Sequence, residues 1–361
     1  MKKIIVGMSG GVDSAVAAYL LKKDGYDVEG IFMKNWNEDD DCPAEEDFKD
    51  ALMVAETIGI PLHSVNFAKD YWDNVFKTFL DEYSIGRTPN PDILCNKEIK
   101  FKAFLDYCLD LGADQIATGH YAKIVQSSHG FELHKGDDEN KDQSYFLYTL
   151  GQNALSKSLF PLASLTKNQI RHIAKDQKLP VYNKKDSTGI CFIGERDFKS
   201  FLSTYLPANP GSIVKVDGTI IGKHDGLMYY TLGQRQGLGI GGGHGEKNAP
   251  WYVSDKSMDT NELIVVQGKN HPDLFHTSLT ASQLHWVSGK TPESLNNWSA
   301  KIRYRSPDAS CQVEHLSMDR VQVTFNQPQF AIAPGQSIVF YNKTQCLGGG
   351  VIDTRSRETF E

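Results

Sequence analysis

Two features of this chain could do chemistry: an anion-binding turn near the start, and two cysteines far apart in sequence but in unusual company. Lys3-Ile4-Ile5-Val6 runs into Gly7-Met8-Ser9-Gly10-Gly11-Val12-Asp13-Ser14 and then into Ala15-Val16-Ala17-Ala18-Tyr19-Leu20-Leu21. That order reads as strand, glycine-rich turn and helix. Glycines remove the Cβ atoms that would hold a phosphate away, and the unpaired N–H groups of a helix's first turn point at an anion with the positive end of the dipole. The turn has neither the lysine of a P-loop nor the three-glycine spacing of a dinucleotide fingerprint. It offers Ser9, Asp13 and Ser14 instead, and the acid could hold a metal ion beside phosphates.

The cysteines come next. Thr88-Pro89-Asn90-Pro91-Asp92-Ile93-Leu94-Cys95-Asn96-Lys97 places two prolines ahead of a cysteine expected to open a helix from Lys97 to Leu111. A thiol at a helix start beside lysines has its thiolate stabilised, which makes it a nucleophile at neutral pH. Position alone favours a buried small hydrophobe, which a lone cysteine more often is. Cys191 lies in Asp186-Ser187-Thr188-Gly189-Ile190-Cys191-Phe192-Ile193-Gly194, a polar, glycine-flanked stretch that should leave it accessible. Cys108, Cys311 and Cys346 sit in apolar-periodic segments and read as core. Cys42 follows the acidic run Glu38 to Asp41, a solvated loop or a mobile lid, and receives no role.

The elements that must position these groups alternate. Strands are expected over Val28–Met33, Pro61–Val65 and Asp114–Thr118, with helices over Phe48–Ile58 and Phe101–Cys108 and glycine caps at Gly59 and Gly112. Such alternation implies an α/β, doubly wound parallel sheet that binds ligands beyond the carboxyl ends of its strands. Ser9 to Ser14, Met33 and Gly119 all fall at such ends and should line one nucleotide site. A further helix has Thr166 as N-cap, Gln169 completing a capping box, Leu165 and Ile170 as a staple, and Pro180 as its stop. It reads as structural, without chemistry. From about residue 205 the pattern turns to short strands, with a hairpin signal at Asp217-Gly218. Alternating runs at Lys301–Tyr304, Gln312–Glu314, Val321–Phe325 and Ser337–Tyr341 then suggest a closed or nearly closed antiparallel barrel. The expected division is a catalytic domain over 1–204, a small β-rich domain over 205–272 and a β-barrel over 273–361.

Composition bounds the rest. A chain of 361 residues is too long for one compact core. No apolar run approaches the roughly 20 residues of a membrane span, and the start lacks the features of a secretion signal. A cytoplasmic, monomeric protein without membrane partners is expected. The six cysteines show no Cys-x-x-Cys pair, so neither structural zinc nor an iron–sulfur cluster is expected. A formal charge of −7 argues against DNA or indiscriminate nucleic-acid binding and leaves room for a local basic surface.

Ser-Gly-Gly-Val-Asp-Ser at 9–14 resembles the signature of the PP-loop ATP pyrophosphatases, which cleave ATP between its α and β phosphates. Further motifs narrow this: Phe32-Met33-Lys34-Asn35-Trp36, Thr88 to Asn96, Ala117-Thr118-Gly119-His120-Tyr121, Lys141-Asp142-Gln143-Ser144-Tyr145-Phe146-Leu147, Ser187 to Gly194 and Ile302-Arg303-Tyr304-Arg305. In this order and along the whole chain they resemble the bacterial tRNA-specific 2-thiouridylases. The resemblance implies ATP and Mg2+ as cofactors. Gly7, Met8, Ser9, Gly10, Gly11, Val12, Asp13 and Ser14 would hold phosphates, Met33 and Gly119 the nucleotide, and Asp13 the magnesium. It implies adenylation of the C2 oxygen of the wobble uridine, followed by sulfur delivery from a persulfide on Cys191. Cys95 would be the nucleophile that closes a transient Cys95–Cys191 disulfide, or that first frees hydrosulfide. Asn90, Pro91 and Asp92 would contact the flipped base, and Lys141, Asp142, Gln143, Arg303 and Tyr304 the tRNA. The implied partners are tRNAs accepting lysine, glutamate and glutamine, and a sulfur-relay protein that donates persulfide. Two other readings stay open: an ATP-driven amidating synthetase, which needs no thiols, and an RNA-binding module that keeps a nucleotide fold as scaffold.

Overall fold

The computed structural model describes residues 1–36, 43–186, 198–240, 249–292 and 298–357. The acidic run with Cys42, and the segment carrying Cys191, lie outside the described residues. The first domain is built on β1 (Lys3–Met8), α1 (Val12–Lys23), β2 (Asp27–Lys34), α2 (Pro43–Ile58), β3 (Leu62–Asn66) and β4 (Gln115–Ala117). Its sheet runs β3-β2-β1-β4 and ends on the short strand Ser158–Leu159, every pair parallel. Ile4, Ile5 and Val6 are fully buried because β1 is covered on both faces. Ile4 and Val6 pack with α1, α2 and Ile170, whereas Ile5 packs with Phe104, Leu105 and Cys108. Strand order reverses between β1 and β4, which is where an open α/β sheet leaves its ligand crevice.

The helix carrying Cys95 starts earlier than its sequence suggests. Asn90 caps it, its side-chain oxygen accepting from the Ile93 N–H at 3.4 Å, and Pro91 takes the first position, where a missing N–H costs nothing. Cys95 therefore sits in the second turn, not at the start. The winding widens to π over Cys95–Ala103 and returns to α over Phe104–Asp110.

A four-stranded sheet forms the middle domain, with the strands flanking Asp217-Gly218 paired as a hairpin. The last six strands close into an antiparallel barrel when Phe275–Trp286 pairs with Gln345–Ser356. Gly348, Gly349 and Gly350 lie inside that final strand. A Cβ at these positions would collide with the carbonyls of His285, Ile338 and Ser282 respectively, so a run that resembles a breaker is what lets neighbouring strands approach. The hairpin Ala122–Ser127/Gly130–Lys135 of the first domain extends the barrel sheet, pairing His134 with Gln345 and Leu133 with Cys346. One expected strand, Lys301–Tyr304, is displaced: the strand spans Trp298–Lys301, and Ile302–Tyr304 lie beyond its end. Ser306 and Pro307 turn the chain there, the Ser306 hydroxyl accepting from the Arg303 N–H at 3.3 Å.

Phe340 is fully buried in the barrel between Trp286 and Trp298, at ring-centroid distances of 5.8 and 5.6 Å. Phe340→Ala is expected to cost about 3–5 kcal/mol, seen as a lower urea midpoint in tryptophan fluorescence with nucleotide binding retained.

Candidate active site

β1 ends at Met8, and the chain turns at Gly10, whose φ of +70° favours glycine. Gly10 also backs onto α2 so closely that a Cβ would collide with the Asp47 carbonyl. One hydroxyl holds the turn: the Ser9 N–H donates to Ser14 Oγ at 3.1 Å, and Ser14 Oγ donates to the Gly11 carbonyl at 3.2 Å. Gly11 is the N-cap of α1 and offers no side-chain acceptor, so the first-turn N–H groups keep their donors for a ligand. Around this cradle the other nucleotide-site residues gather. The terminal methyl of Met33 lies 3.4 Å from where a Gly7 Cβ would stand. Gly119 faces the start of α1, where a Cβ would come within 2.8 Å of the Asp13 carbonyl carbon and the Ser14 nitrogen. The close approach that Gly119 permits is thus β4's end against the loop itself.

Asp13 is engaged on both oxygens. Lys167 Nζ lies 2.8 Å from each, and the Tyr121 hydroxyl donates to Oδ1 at 2.6 Å. Burial and the adjacent Asp13 carboxylate raise the Tyr121 pKa well above its ordinary value, so the phenol remains a neutral donor. This geometry does not fit Asp13 as a magnesium ligand, because an ammonium already stands at its carboxylate. Lys167 opens the helix Lys167–Asp176, whose capping box is formed as expected. That helix brings Lys167 to the Asp13 carboxylate. A lysine in the first turn opposes the helix dipole, and that local misfit was the signal available in the sequence.

Lys167 also lies 2.8 Å from Asp186 Oδ1, which Arg171 contacts at 2.8 Å, while Lys141 donates to Oδ2 at 2.6 Å. Lys184 pairs with Asp47 and Asp50 on α2. The segment ending at Asp186, five residues before Cys191, is therefore bound by charge to both the loop and α2.

Cys95 is fully buried on the helix whose Phe104 lies 3.5 Å from the Gly7 Cβ position. The neighbouring Asn96 donates to the Phe146 carbonyl at 3.2 Å. The loop leading to Asn90, Pro91 and Asp92 is held by the other two domains. The Thr88 N–H donates to the Pro334 carbonyl at 2.9 Å, Gln336 donates to the Thr88 carbonyl at 2.9 Å, and Lys256 donates to the Gly86 carbonyl at 3.0 Å. Burial lowers the Lys256 pKa to about 8.

The remaining expected contacts are unevenly exposed. Asp142 is buried, its carboxylate accepting from the N–H groups of Gly136 and Ser144 at 3.2 and 3.1 Å. Gln143 brackets Tyr121, accepting its N–H at 3.0 Å. Arg303 turns inward to donate to the carbonyls of Leu232 and Ala331 at 2.7 and 2.8 Å. Tyr304 is half-buried against Phe146, 4.4 Å between centroids, and Arg305 beside it is exposed.

Three family descriptions match in chain order: "tRNA methyl transferase HUP domain" over residues 2–195, "tRNA methyl transferase PRC-barrel domain" over 199–267, and "Aminomethyltransferase beta-barrel domain" over 276–352. A protein of Hydrogenovibrio crunogenus named tRNA-specific 2-thiouridylase MnmA is 57% identical over 98% of this chain and 94% of its own. One of the same name in Sodalis glossinidius is 59% identical over 98% of this chain and 97% of its own. The chain belongs to the tRNA-specific 2-thiouridylase family. Among solved structures, a 4-thiouridine synthetase–RNA complex with bound ATP is similar at 20% identity and a TM-score of 0.36, over 57% of this chain and 50% of that one. No described helix is long and apolar enough to cross a membrane.

In this 2-thiouridylase family member, burial alone would raise the Asp186 pKa, but hydrogen bonds from Lys141 and Lys167 hold it at about 2. A depressed carboxylate contributes stability above its ordinary value of 3.8 and loses it as pH falls toward about 2. Melting temperatures taken from about pH 5 down to about pH 2 should therefore fall more steeply for the wild type than for Asp186→Asn.

Proposed function

We propose that this protein uses ATP to replace the C2 oxygen of the wobble uridine, position 34 of tRNA, with sulfur. The observation that carries this reading is the near-full-length similarity, 57–59% identity, to proteins named tRNA-specific 2-thiouridylase. The geometry supports it, because an uncapped helix start and a buried cysteine helix meet at the carboxyl end of β1.

A carbonyl oxygen is a poor leaving group, so the C2 oxygen first attacks the α-phosphorus of ATP and displaces pyrophosphate. The loop Gly7 to Ser14 holds the phosphates, with Met33 and Gly119 beside it. Magnesium arrives as part of the substrate, MgATP. The terminal sulfur of a Cys191 persulfide attacks C2, the C2–O bond breaks, and the oxygen leaves within AMP. The Cys95 thiolate then attacks the Cys191 sulfur. This breaks the bond to the transferred sulfur and leaves 2-thiouridine and a Cys95–Cys191 disulfide, which two electrons from an external thiol reductant reopen. In the variant route Cys95 attacks first and releases hydrosulfide, which then attacks C2.

The base must leave the anticodon stack to reach this site, and Asn90, Pro91 and Asp92 receive it at the start of the Cys95 helix. Direct RNA contact falls to Lys141, Gln143 and Tyr304. Asp142 and Arg303, turned inward, hold the turns that present them. The tRNAs are those accepting lysine, glutamate and glutamine, a relay protein brings the persulfide, and the enzyme works in the cytoplasm as a monomer. Its units are 1–204, 205–272 and 273–361.

Unmodified glutamate tRNA incubated with protein, MgATP and a persulfide donor should yield 2-thiouridine and AMP by nucleoside mass spectrometry. Cys95→Ser and Cys191→Ser should each abolish the thionucleoside. AMP without a thionucleoside in the wild type would move the protein to the amidating reading.

A further inference from the structure

Asn96, the residue after the proposed nucleophile, carries a polar atom that the fold leaves unexplained. Its side chain is buried, at 3% exposure. The amide nitrogen donates to the Phe146 carbonyl at 3.2 Å, and only the nitrogen end can do so, which fixes the orientation of the group. Its oxygen Oδ1 is then buried without a donor. A buried acceptor left unmatched is costly, and folded proteins keep few of them. The bond to Phe146 accounts for the nitrogen and leaves the oxygen without a purpose.

The place of Asn96 in its helix supplies one. The Cys95 N–H reaches the carbonyls of Asp92 and Pro91, so the winding is ordinary up to that point. Asn96, four residues after Asp92, therefore stands on the same face of the helix, one turn deeper. Phe146, which orients the amide, packs its own ring on Tyr304 at 4.4 Å between centroids. A flat ring flipped into the protein past Asn90, Pro91 and Asp92 would have a fixed acceptor beneath it and aromatic side chains close by. Enzymes that act on a flipped base read its Watson–Crick edge by hydrogen bonds. On uracil that edge carries a single donor, N3–H, next to the C2 carbonyl. On cytosine the same position is a bare acceptor.

We propose that Asn96 is a specificity-determining residue, its Oδ1 accepting a hydrogen bond from N3–H of the flipped uridine while the Phe146 carbonyl holds the amide in the orientation this needs. The inference rests on the tRNA-thiolating reading above and adds a base contact beyond Asn90, Pro91 and Asp92. A cytidine in the same place sets its N3 lone pair against Oδ1, so the residue rejects one pyrimidine by the same atom that accepts the other.

The test compares affinities by fluorescence anisotropy, with α,β-methylene-ATP present to prevent turnover, for unmodified glutamate tRNA carrying uridine or cytidine at position 34. The proteins are the wild type, Asn96→Ala and Asn96→Asp. The wild type should prefer uridine. Asn96→Ala should weaken the uridine tRNA about 2- to 10-fold, the scale of one hydrogen bond, and leave the cytidine tRNA nearly unchanged. Asn96→Asp keeps an acceptor of the same shape and should keep the preference. Equal weakening of both tRNAs by Asn96→Ala would overturn the proposal by reducing Asn96 to a tie between its helix and Phe146. If Asn96→Ala does not fold, Asn96→Leu, which fills the amide's volume without its polar atoms, must show the same selective loss. A wild type that binds neither tRNA defeats the thiolating reading itself, whereas a wild type that binds both without preference, or an Asn96→Ala variant that keeps the whole preference, defeats only the role of Asn96.

Discussion

An ammonium held almost out of water between two carboxylates ties this site together. Lys167 reaches Asp13 on the glycine loop and Asp186 at the end of the 181–186 segment, and Arg171 and Lys141 join at Asp186. A buried pair broken on one side leaves an uncompensated charge, which is expensive. The loop, the helix Lys167–Asp176 and the segment ending at Asp186 are therefore constrained as a unit. Gly10 adds a second link, since its lack of a side chain lets the loop rest on Asp47, whose carboxylate holds Lys184.

The other half of the site depends on distant parts of the chain. The loop before Asn90 donates to the Pro334 carbonyl of the barrel and accepts hydrogen bonds from Gln336 in the barrel and Lys256 in the middle domain. Arg87 reaches the barrel as well, donating to the Ile352 carbonyl at 3.2 Å. At Gly335, φ +91°, a Cβ would lie 2.8 Å from the Thr88 nitrogen, so the barrel turn fits against this loop only as glycine. The barrel and the middle domain are in this way built into the loop proposed to receive the base.

Much of this was legible in the residues. The glycine turn, the alternation of strands and helices and the Thr166 capping box all follow from local rules, and each formed as expected. What was missed has non-local causes. The start of the Cys95 helix was misread because two prolines looked like a boundary, although Asn90 and Pro91 make a cap. The final barrel strand was hidden by three glycines whose purpose is visible only once His285, Ile338 and Ser282 stand beside them. The hairpin 122–135 completes a sheet that belongs to the other end of the chain. The helix that begins at Lys167 read as structural, and the ion pair that Lys167 makes depends on Asp13, 154 positions away.

The central claim is that ATP activates the uridine oxygen itself, and the fate of that oxygen tests it most directly. A tRNA carrying heavy oxygen at C2 of its wobble uridine is turned over once with ATP and a persulfide donor, and the AMP is examined by mass spectrometry. The account predicts one heavy oxygen in the AMP phosphate for each 2-thiouridine formed. Heavy oxygen released to water, with unlabelled AMP, would contradict it.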